Sequence, residues 1–139
     1  MEDGTKIMAR QWDSHEVLHL VKQIYQQVLE RTVVNADGSS TDSGLMYYSD
    51  KLCRGEMSVR DVVRALGLSQ EYAQRFVIPY TNADAVRLCY KHFLAREPEE
   101  KGLNYWTQQS MIGEWAVVIK GLVDSDEYTE RFGNDAVPK

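Results

Sequence analysis

The stretch SQEYAQRF, residues 69–76, recurs almost unchanged as SDEYTERF, residues 125–132. Both copies read Ser-x-Glu-Tyr-x-x-Arg-Phe, and 56 residues separate them. The serine is suited to cap a helix, and the glutamate complements the dipole of the first turn. The tyrosine and phenylalanine share one helix face because they stand at i and i+4. The phrase therefore predicts, in two places, a short helix that docks on longer helices through an aromatic pair.

The residues around these two phrases extend the repeat. GLMYY at 44–48 matches GLNYW at 102–106, and Tyr25 in the first half matches Tyr90 in the second. Repetition of this extent is typical of a fold built from two copies of one structural unit. The connecting loop is longer in the first copy. The sequence therefore predicts a duplicated unit of four helices.

The fold class follows from helical spacing of the apolar residues and from the lack of strand signals. We expect an all-α fold, a single domain of about eight helices built as two four-helix pseudo-repeats. The domain is expected at 13–133, with pseudo-repeats at 13–80 and 82–133. Residues 1–12 are expected to form an N-terminal extension, and residues 134–139 a C-terminal tail.

Capping signals predict where helices begin. Asp13 and Glu16 have the spacing of a capping box before the first helix. Asn82 or Asp84 is expected to open the first helix of the second pseudo-repeat. Pro98 is expected to begin the next helix, because proline is favoured at a first helical position.

Composition limits the functional classes. The chain has 139 residues, a mass of 16.0 kDa and 43% hydrophobic residues, which is enough for one packed core. Its net charge of −5 argues against a nucleic-acid partner, because phosphate binding needs a basic surface. No apolar run is long enough to span a bilayer, and the first ten residues lack the apolar core of a signal peptide. These features predict a soluble intracellular protein.

Two cysteines, Cys53 and Cys89, stand far apart without paired spacing. They indicate free thiols in a reducing compartment. Cys89 lies among apolar positions and is expected to be a small core residue, whereas Cys53 is expected to be more exposed. No spacing pairs either thiol with a base, so a nucleophile is not predicted.

HEVLH at 15–19 matches the pattern of zinc proteases, in which two histidines bind the metal and a glutamate acts as base. Glu16 already serves the capping box, and Lys22 occupies the place where the extended pattern has glycine. A zinc-dependent hydrolase is therefore a minor alternative. The sequence predicts no enzyme, no catalytic residue, no metal site and no cofactor.

Four blocks together resemble the linker domain of phycobilisome linker polypeptides. They are IYQQVL at 24–29, RGEMSVRDVVRALGLSQEYAQRF at 54–76, NADAVRLCYKHFLAREP at 82–98 and IKGLVDSDEYTERFG at 119–133. The corresponding family block for the third of these reads N-x-R-F-V-x-L-x-x-K-H-L-L-G-R-x-P. The blocks occur in the family's order, and the resemblance covers roughly residues 17–133.

The resemblance implies a colourless, all-helical, non-enzymatic scaffold. Such linkers sit inside the trimers and hexamers of phycobiliproteins, here phycocyanin or allophycocyanin, and tune energy transfer toward a photosystem. The implied location is the cytoplasmic side of the thylakoid membrane in a cyanobacterium, or the plastid stroma of a red alga. The partners would be phycobiliproteins and possibly a photosystem, with no nucleic acid and no membrane-spanning segment.

Two departures from the family pattern leave alternatives open. Rod linkers are typically basic, whereas this chain is acidic, and the further domains of many linkers are not present in this sequence. The chain could thus be one excised domain of a larger linker or a small stand-alone member. REPEEKGLNYW at 96–106 is also similar to a helical interaction module of secreted bacterial proteins.

The resemblance points to protein-interface residues within the matching blocks. Arginine is favoured at such contacts because its planar guanidinium binds carboxylates through two hydrogen bonds. Tyr47 is a further aromatic candidate, although core packing is the expected role for it. The predicted interface residues are Arg60, Arg64, Arg75, Tyr80, Arg87, Lys91 and Arg96.

Overall fold

The computed structural model describes residues 10–35, 37, 39–40 and 42–139. In this part of the chain every regular element is helical, which confirms the all-α prediction. A π-helical turn, Tyr90–Leu94, continues α5 without a break. The α-helices are α1 Ser14–Leu29, α2 Ser43–Cys53, α3 Val59–Gly67, α4 Gln70–Phe76, α5 Asn82–Cys89, α6 Glu100–Ile112, α7 Trp115–Val123 and α8 Asp126–Arg131.

Helix starts agree with the expected positions except at one place, the start of α6. The capping box of Asp13 and Glu16 is present at the start of α1, which confirms that prediction. α5 begins at Asn82, one of the two expected positions, and the residue before it, Thr81, is its cap: the Thr81 hydroxyl accepts the Asp84 N–H at 3.2 Å. The cap of α6 is Glu99, whose backbone is extended, so Pro98 lies before the helix and does not begin it.

The helices pack into one core that draws on both halves of the chain. α1 packs on α2, and α5 packs on α6 in the same way, while α3 and α7 meet between them. The approach of α3 to the second half is close. A Cβ at Gly67 would lie 2.6 Å from the Phe93 ring and 2.9 Å from Ile119. The two halves therefore form a single apolar interior and not two separate domains.

The repeated phrase performs the same tasks in both halves. The Ser69 hydroxyl accepts the Tyr72 N–H and donates to the Leu66 carbonyl. Ser125 repeats both bonds, accepting from Tyr128 and donating to the Leu122 carbonyl in the turn before α8. Both tyrosines are fully buried. Serine thus stabilises the helix start while tyrosine anchors the short helix in the core.

The charged residues of the phrase fasten the short helices to the ends of the long ones. Arg75 donates to the carbonyl of Leu29 at the end of α1. Arg131 donates in the same way to the carbonyl of Leu94, at the end of the π-helical turn. Both carbonyls lie in the last turn of a helix, where carbonyls lack helical partners. The repeated arginine therefore satisfies backbone groups that would otherwise lack a bond.

Candidate protein-interaction surface

Two of the predicted interface arginines, Arg75 and Arg96, bind partners within the protein. Arg96 holds Glu127 through two parallel bonds, with Nε–Oε2 at 2.7 Å and Nη2–Oε1 at 2.8 Å. This contact lowers the pKa of the Glu127 carboxyl. Arg75 donates a hydrogen bond to the Leu29 carbonyl and forms an ion pair with Glu71 at 3.4 Å. A residue with these intramolecular partners stabilises the fold first of all.

Arg60 and Arg64 also make intramolecular contacts, which join α3 to the C-terminal part of the chain. Arg60 donates to the Thr129 hydroxyl at 2.8 Å, and its guanidinium lies 4.9 Å from the centre of the Tyr128 ring. Arg64 bridges the carboxylates of Asp61 and Asp124. Charge reversal at Arg64 would bring three carboxylates together. Such a variant would therefore report on stability as well as on binding.

Tyr80, Arg87 and Lys91 are the predicted interface residues that stay well exposed. Tyr80 directly precedes the cap of α5, and its side chain is open to solvent together with that of Ile78. Arg87 and Lys91 follow one another at a helical turn on the outer side of α5 and the π-helical turn. Their ion pairs, to Asp84 at 2.8 Å and to Glu30 at 3.5 Å, are solvent-exposed. Exposed pairs of this kind can be exchanged for a partner's carboxylates at little cost.

Tyr47 corrects an expectation, because it is not a core residue. It is 55% exposed on α2 and stands edge-on to Tyr48, with ring centres 5.1 Å apart. Tyr105, its counterpart on α6, is 53% exposed and stands edge-on to Trp106 at 4.9 Å. In each pair the second ring is half-buried and serves the core. The first ring remains available for contact with another molecule in both halves.

An uncharged face of α6 was not identified from the sequence. Met111 and Ile112 at the end of α6 are exposed, Ile112 by 81%, and Val117 of α7 is exposed beside them. Residues 102–113 carry no charged side chain, although 27% of the whole chain is charged. Loss of charge together with exposed aromatic and apolar residues is typical of the centre of protein interfaces. The uncharged run at residues 102–113 is the sequence feature that could have indicated this face.

A second apolar feature is a groove of about 560 Å³ between α1 and α2. Leu18, Met46 and Cys53 are among the residues that line it, and Cys53 is a half-buried free cysteine. Cys89, in contrast, is fully buried, and burial raises the pKa of its thiol to about 12. Both expectations about the cysteines are thereby confirmed. A buried thiol of this kind is a poor nucleophile.

The HEVLH segment does not form a metal site of the protease type. His15 and His19 are both exposed on α1. Glu16 accepts the N–H of Asp13 at 3.2 Å and pairs with Arg10, so its carboxylate serves the helix start. Within residues 10–35, 37, 39–40 and 42–139, no group of three or more His, Cys, Asp or Glu side chains is placed to hold a metal ion.

The third histidine, His92, lies in a buried polar network that the sequence analysis did not identify. Its Nδ1 lies 2.8 Å from the Tyr72 hydroxyl and its Nε2 lies 2.6 Å from Oε2 of Glu30. The Tyr72 hydroxyl also lies 3.7 Å from Sγ of Cys89. The position of His92 between the apolar residues of its helix was the available signal. This network joins the two halves and is not open to a substrate.

None of the helices that the structure describes is long and apolar enough to cross a lipid bilayer. The candidate contact features of the described surface are the ion pairs of Arg87 and Lys91, the exposed aromatic residues on α2 and α6, and the uncharged end of α6. These features suit contacts with another protein.

Comparison with known proteins identifies relatives along nearly the whole chain. Residues 12–139 match the model of the Phycobilisome Linker polypeptide family. A phycobiliprotein ApcE from Cyanophora paradoxa is 37% identical over 123 residues, which are 86% of this chain and 13% of that protein. Its counterpart from Microchaete diplosiphon is 34% identical over 127 residues, 91% of this chain and 12% of that protein. The chain thus spans only about an eighth of the length of these relatives.

Proposed function

The chain belongs to the phycobilisome linker polypeptide family, and on that premise we propose that it is a non-enzymatic linker that binds phycobiliprotein assemblies. The observation that carries this proposal is the family match over residues 12–139, which includes both halves of the fold. The names of the relatives, phycobiliprotein ApcE, support the same setting. The partners we propose are trimers or hexamers of phycocyanin or allophycocyanin.

In this role the protein would organise the light-harvesting antenna and tune energy transfer toward a photosystem. The proposed location is the phycobilisome, on the cytoplasmic side of the thylakoid membrane or in a plastid stroma. A direct contact with a photosystem is a further part of the proposal. A rigid all-helical body with one shared core suits a scaffold, because it holds its contact residues at fixed positions.

Arg87 and Lys91, with Tyr80 before them, form the contact surface that we propose for the partner. Arg87 and Lys91 are the most exposed cations of the predicted set, and their charges suit an acidic protein surface. Their present partners, Asp84 and Glu30, hold them through solvent-exposed bonds that can be replaced. Arg60, Arg64, Arg75 and Arg96 have intramolecular roles in the first place, as described above.

The test is co-sedimentation of the purified protein with phycocyanin and with allophycocyanin, while the bilin fluorescence is recorded. We expect larger particles and a shifted emission with one of the two. Failure to associate with either would overturn the proposed function.

The contact surface is tested with Arg87→Glu combined with Lys91→Glu, which should weaken association about tenfold or more at low salt. Gln74→Glu is the matched control, because it adds a negative charge to an exposed position on α4. The contact surface would instead be the uncharged face of α6 if Ile112→Asp abolished association while the double charge reversal left association unchanged.

A further inference from the structure

The network around His92 joins the two halves through buried polar atoms. His92 is 1% exposed, and both of its ring nitrogens have partners contributed by the first half. Glu30 is the cap residue that directly follows α1, whereas Tyr72 lies within α4. The π-helical turn carries the imidazole between them. A buried polar network with both ends satisfied fixes the relative position of the elements that contribute to it.

The hydrogen bonds determine which nitrogen of His92 carries the proton. An ionised carboxylate only accepts hydrogen bonds, so Nε2 must donate to Glu30. The other nitrogen, Nδ1, then has a free lone pair and accepts the hydroxyl proton of Tyr72. A neutral ring therefore satisfies every group of the network at once. A protonated ring would place a hydrogen on Nδ1, directed at the Tyr72 oxygen.

Protonation would change the bonds of the Tyr72 hydroxyl. Its oxygen would have to accept from Nδ1, so its own hydrogen would have to turn to another acceptor. The neighbouring acceptor is Sγ of Cys89, at 3.7 Å, and sulfur is a weak acceptor. The charged ring would also stay buried next to apolar rings, with Phe76 at a centre-to-centre distance of 4.5 Å.

The second half differs from the first at this position. Gln27 is the residue of the first half that corresponds to His92 in the repeat. The first half is α-helical at this position, whereas the second half has the π-helical turn. Gln27 donates its side-chain N–H groups to the carbonyls of Lys91 and His92, at 3.0 and 3.1 Å. Thus a group without a charge and a titratable group occupy matching positions. π-Helical turns are frequent at functional sites.

We propose that Glu30, His92 and Tyr72 form a proton-sensitive joint between the two halves, which neutral His92 holds closed and protonated His92 loosens. This joint acts within the fold and does not depend on which partner the protein binds. Protonation of His92 would loosen α4 and the π-helical turn first, because these elements meet at the joint.

The charges around the ring act in two directions. Burial is the main influence and lowers the pKa of His92, while Glu30 raises it and Lys91 and Arg75 lower it. From α5 the nearest titratable group is Cys89, whose thiol stays protonated because burial raises its pKa to about 12. Tyr72 likewise stays protonated, since burial raises its pKa. The buried residues of α7 are apolar, and α8 sends Arg131 to the Leu94 carbonyl.

The sign of the pH effect follows from the lowered pKa. The unfolded chain takes up a proton on His92 near pH 6.5, before the folded protein does. The contribution of neutral His92 to stability is therefore complete above pH 6.5 and decreases as the pH falls from there to the pKa of His92 in the folded state. Over that interval the unfolding constant rises by up to about tenfold for each pH unit.

The first experiment measures the unfolding constant by urea titration between pH 7.5 and 5.5. For the wild type we expect a rise over this interval, and for His92→Gln a flat profile. Glutamine is the residue that stands at the matching position, Gln27, in the first half. His19→Gln is the matched control, an identical change at an exposed site on α1, and should keep the wild-type profile. A profile of His92→Gln as steep as that of the wild type would overturn the proposal.

The second experiment uses the unmodified protein, so it decides even if His92→Gln does not fold. Long-range ¹H–¹⁵N NMR of the histidine rings reports both the tautomer and the titration midpoint. We expect His92 to carry its proton on Nε2 and to titrate below pH 6.5, with lower amide protection factors in α4 once it is protonated. A proton on Nδ1, or a midpoint at or above pH 6.5, would overturn the proposal.

Discussion

Two residues with left-handed backbone end equivalent helices, and neither is glycine. Glu30 follows α1 with φ of 52°, and Ala95 follows the π-helical turn with φ of 53°. This conformation strains any residue that has a Cβ. Glu30 has a reason to be there, because its carboxylate binds His92. Ala95 has no comparable contact, and the family block K-H-L-L-G-R-x-P has glycine at this place.

Ala95→Gly should therefore raise the free energy of unfolding by about 1 kcal/mol, because glycine adopts the left-handed region without strain. Thermal or urea unfolding followed by circular dichroism measures the change. Ala65→Gly, inside α3, is the control and should lower stability by about 1 kcal/mol. A loss of stability with Ala95→Gly would show that the strain is not present.

Each Gly-Leu-x-Tyr-aromatic segment begins with a glycine that makes room for a tyrosine of the preceding helix. A Cβ at Gly44 would lie 2.0 Å from the Tyr25 hydroxyl, and a Cβ at Gly102 would lie 2.5 Å from the Tyr90 hydroxyl. The two segments match because the same packing of a glycine against a tyrosine hydroxyl occurs in both halves. Side-chain size, not backbone conformation, requires glycine at these positions.

Gly44→Ala should lower the free energy of unfolding by about 1–3 kcal/mol, the range found for overpacked sites. Adding Tyr25→Phe removes the clashing oxygen and should restore part of that loss in the double variant. Gly113→Ala is the control, since its nearest neighbours lie 3.5 and 3.6 Å from the added Cβ. Equal losses with Gly44→Ala and Gly113→Ala would contradict the packing argument. Unfolding in urea provides the values.

At the scale of elements, α4 and α8 are too short to persist alone and depend on what holds them. Each is fixed by a buried tyrosine and by a glutamate that binds an arginine, which lies just after α1 for α4 and just after the π-helical turn for α8. Glu71 holds Arg31 at 2.7 and 3.0 Å, just as Glu127 holds Arg96 at 2.7 and 2.8 Å. The two guanidiniums lie over the rings of Tyr25 and Tyr90 in the same manner.

These ion pairs predict a loss of stability in acid. Arg31 lowers the pKa of Glu71, and Arg96 lowers that of Glu127. A carboxyl whose pKa is lowered on folding adds stability above its unfolded pKa, 4.5, and this stability is lost as the pH falls through the folded pKa. Glu127→Gln should therefore cost about 1 kcal/mol at pH 7 and progressively less as the pH falls below 4.5. Melting temperatures from pH 7 to pH 3 measure the difference.

The matched control for that experiment is Glu130→Gln, on the same helix, where the side chain is exposed. It should leave the melting temperature nearly unchanged at both pH values. A constant difference between wild type and Glu127→Gln down to pH 3 would contradict the ion-pair argument.

At the scale of the whole molecule, the halves share one interior. Phe93 of the second half lies against Gly67, and Cys89 lies against Tyr72. The expected boundaries at 13–80 and 82–133 describe sequence units, and they stay a prediction for superposition to test. The contacts show that neither unit covers its own apolar surface.

Residues 82–139 alone should therefore not form a stable fold. We expect weak helical circular dichroism and no cooperative thermal transition, because the side chains that meet α3 and α4 would face water. The intact chain under the same conditions is the reference. A cooperative transition in the isolated fragment would show that the second half has an independent core.

The sequence by itself determined the local features of this protein. Helical periodicity, serine and aspartate caps and the duplicated phrase predicted the class of fold, the order of the helices and the core positions of Tyr72 and Tyr128. These features depend on residues within a few positions of one another, so the pattern alone contains them. The ordered blocks also indicate the family, because they are sequence patterns.

Only the tertiary structure decided which charged and aromatic residues remain free. Arg96 and Tyr47 show the difference: the arginine binds Glu127, 31 positions away, and the expected core tyrosine is exposed. His92 met its partners from α1 and α4 only through folding. Such contacts depend on the packing of helices that are distant in sequence, and neither spacing nor capping carries information about that packing.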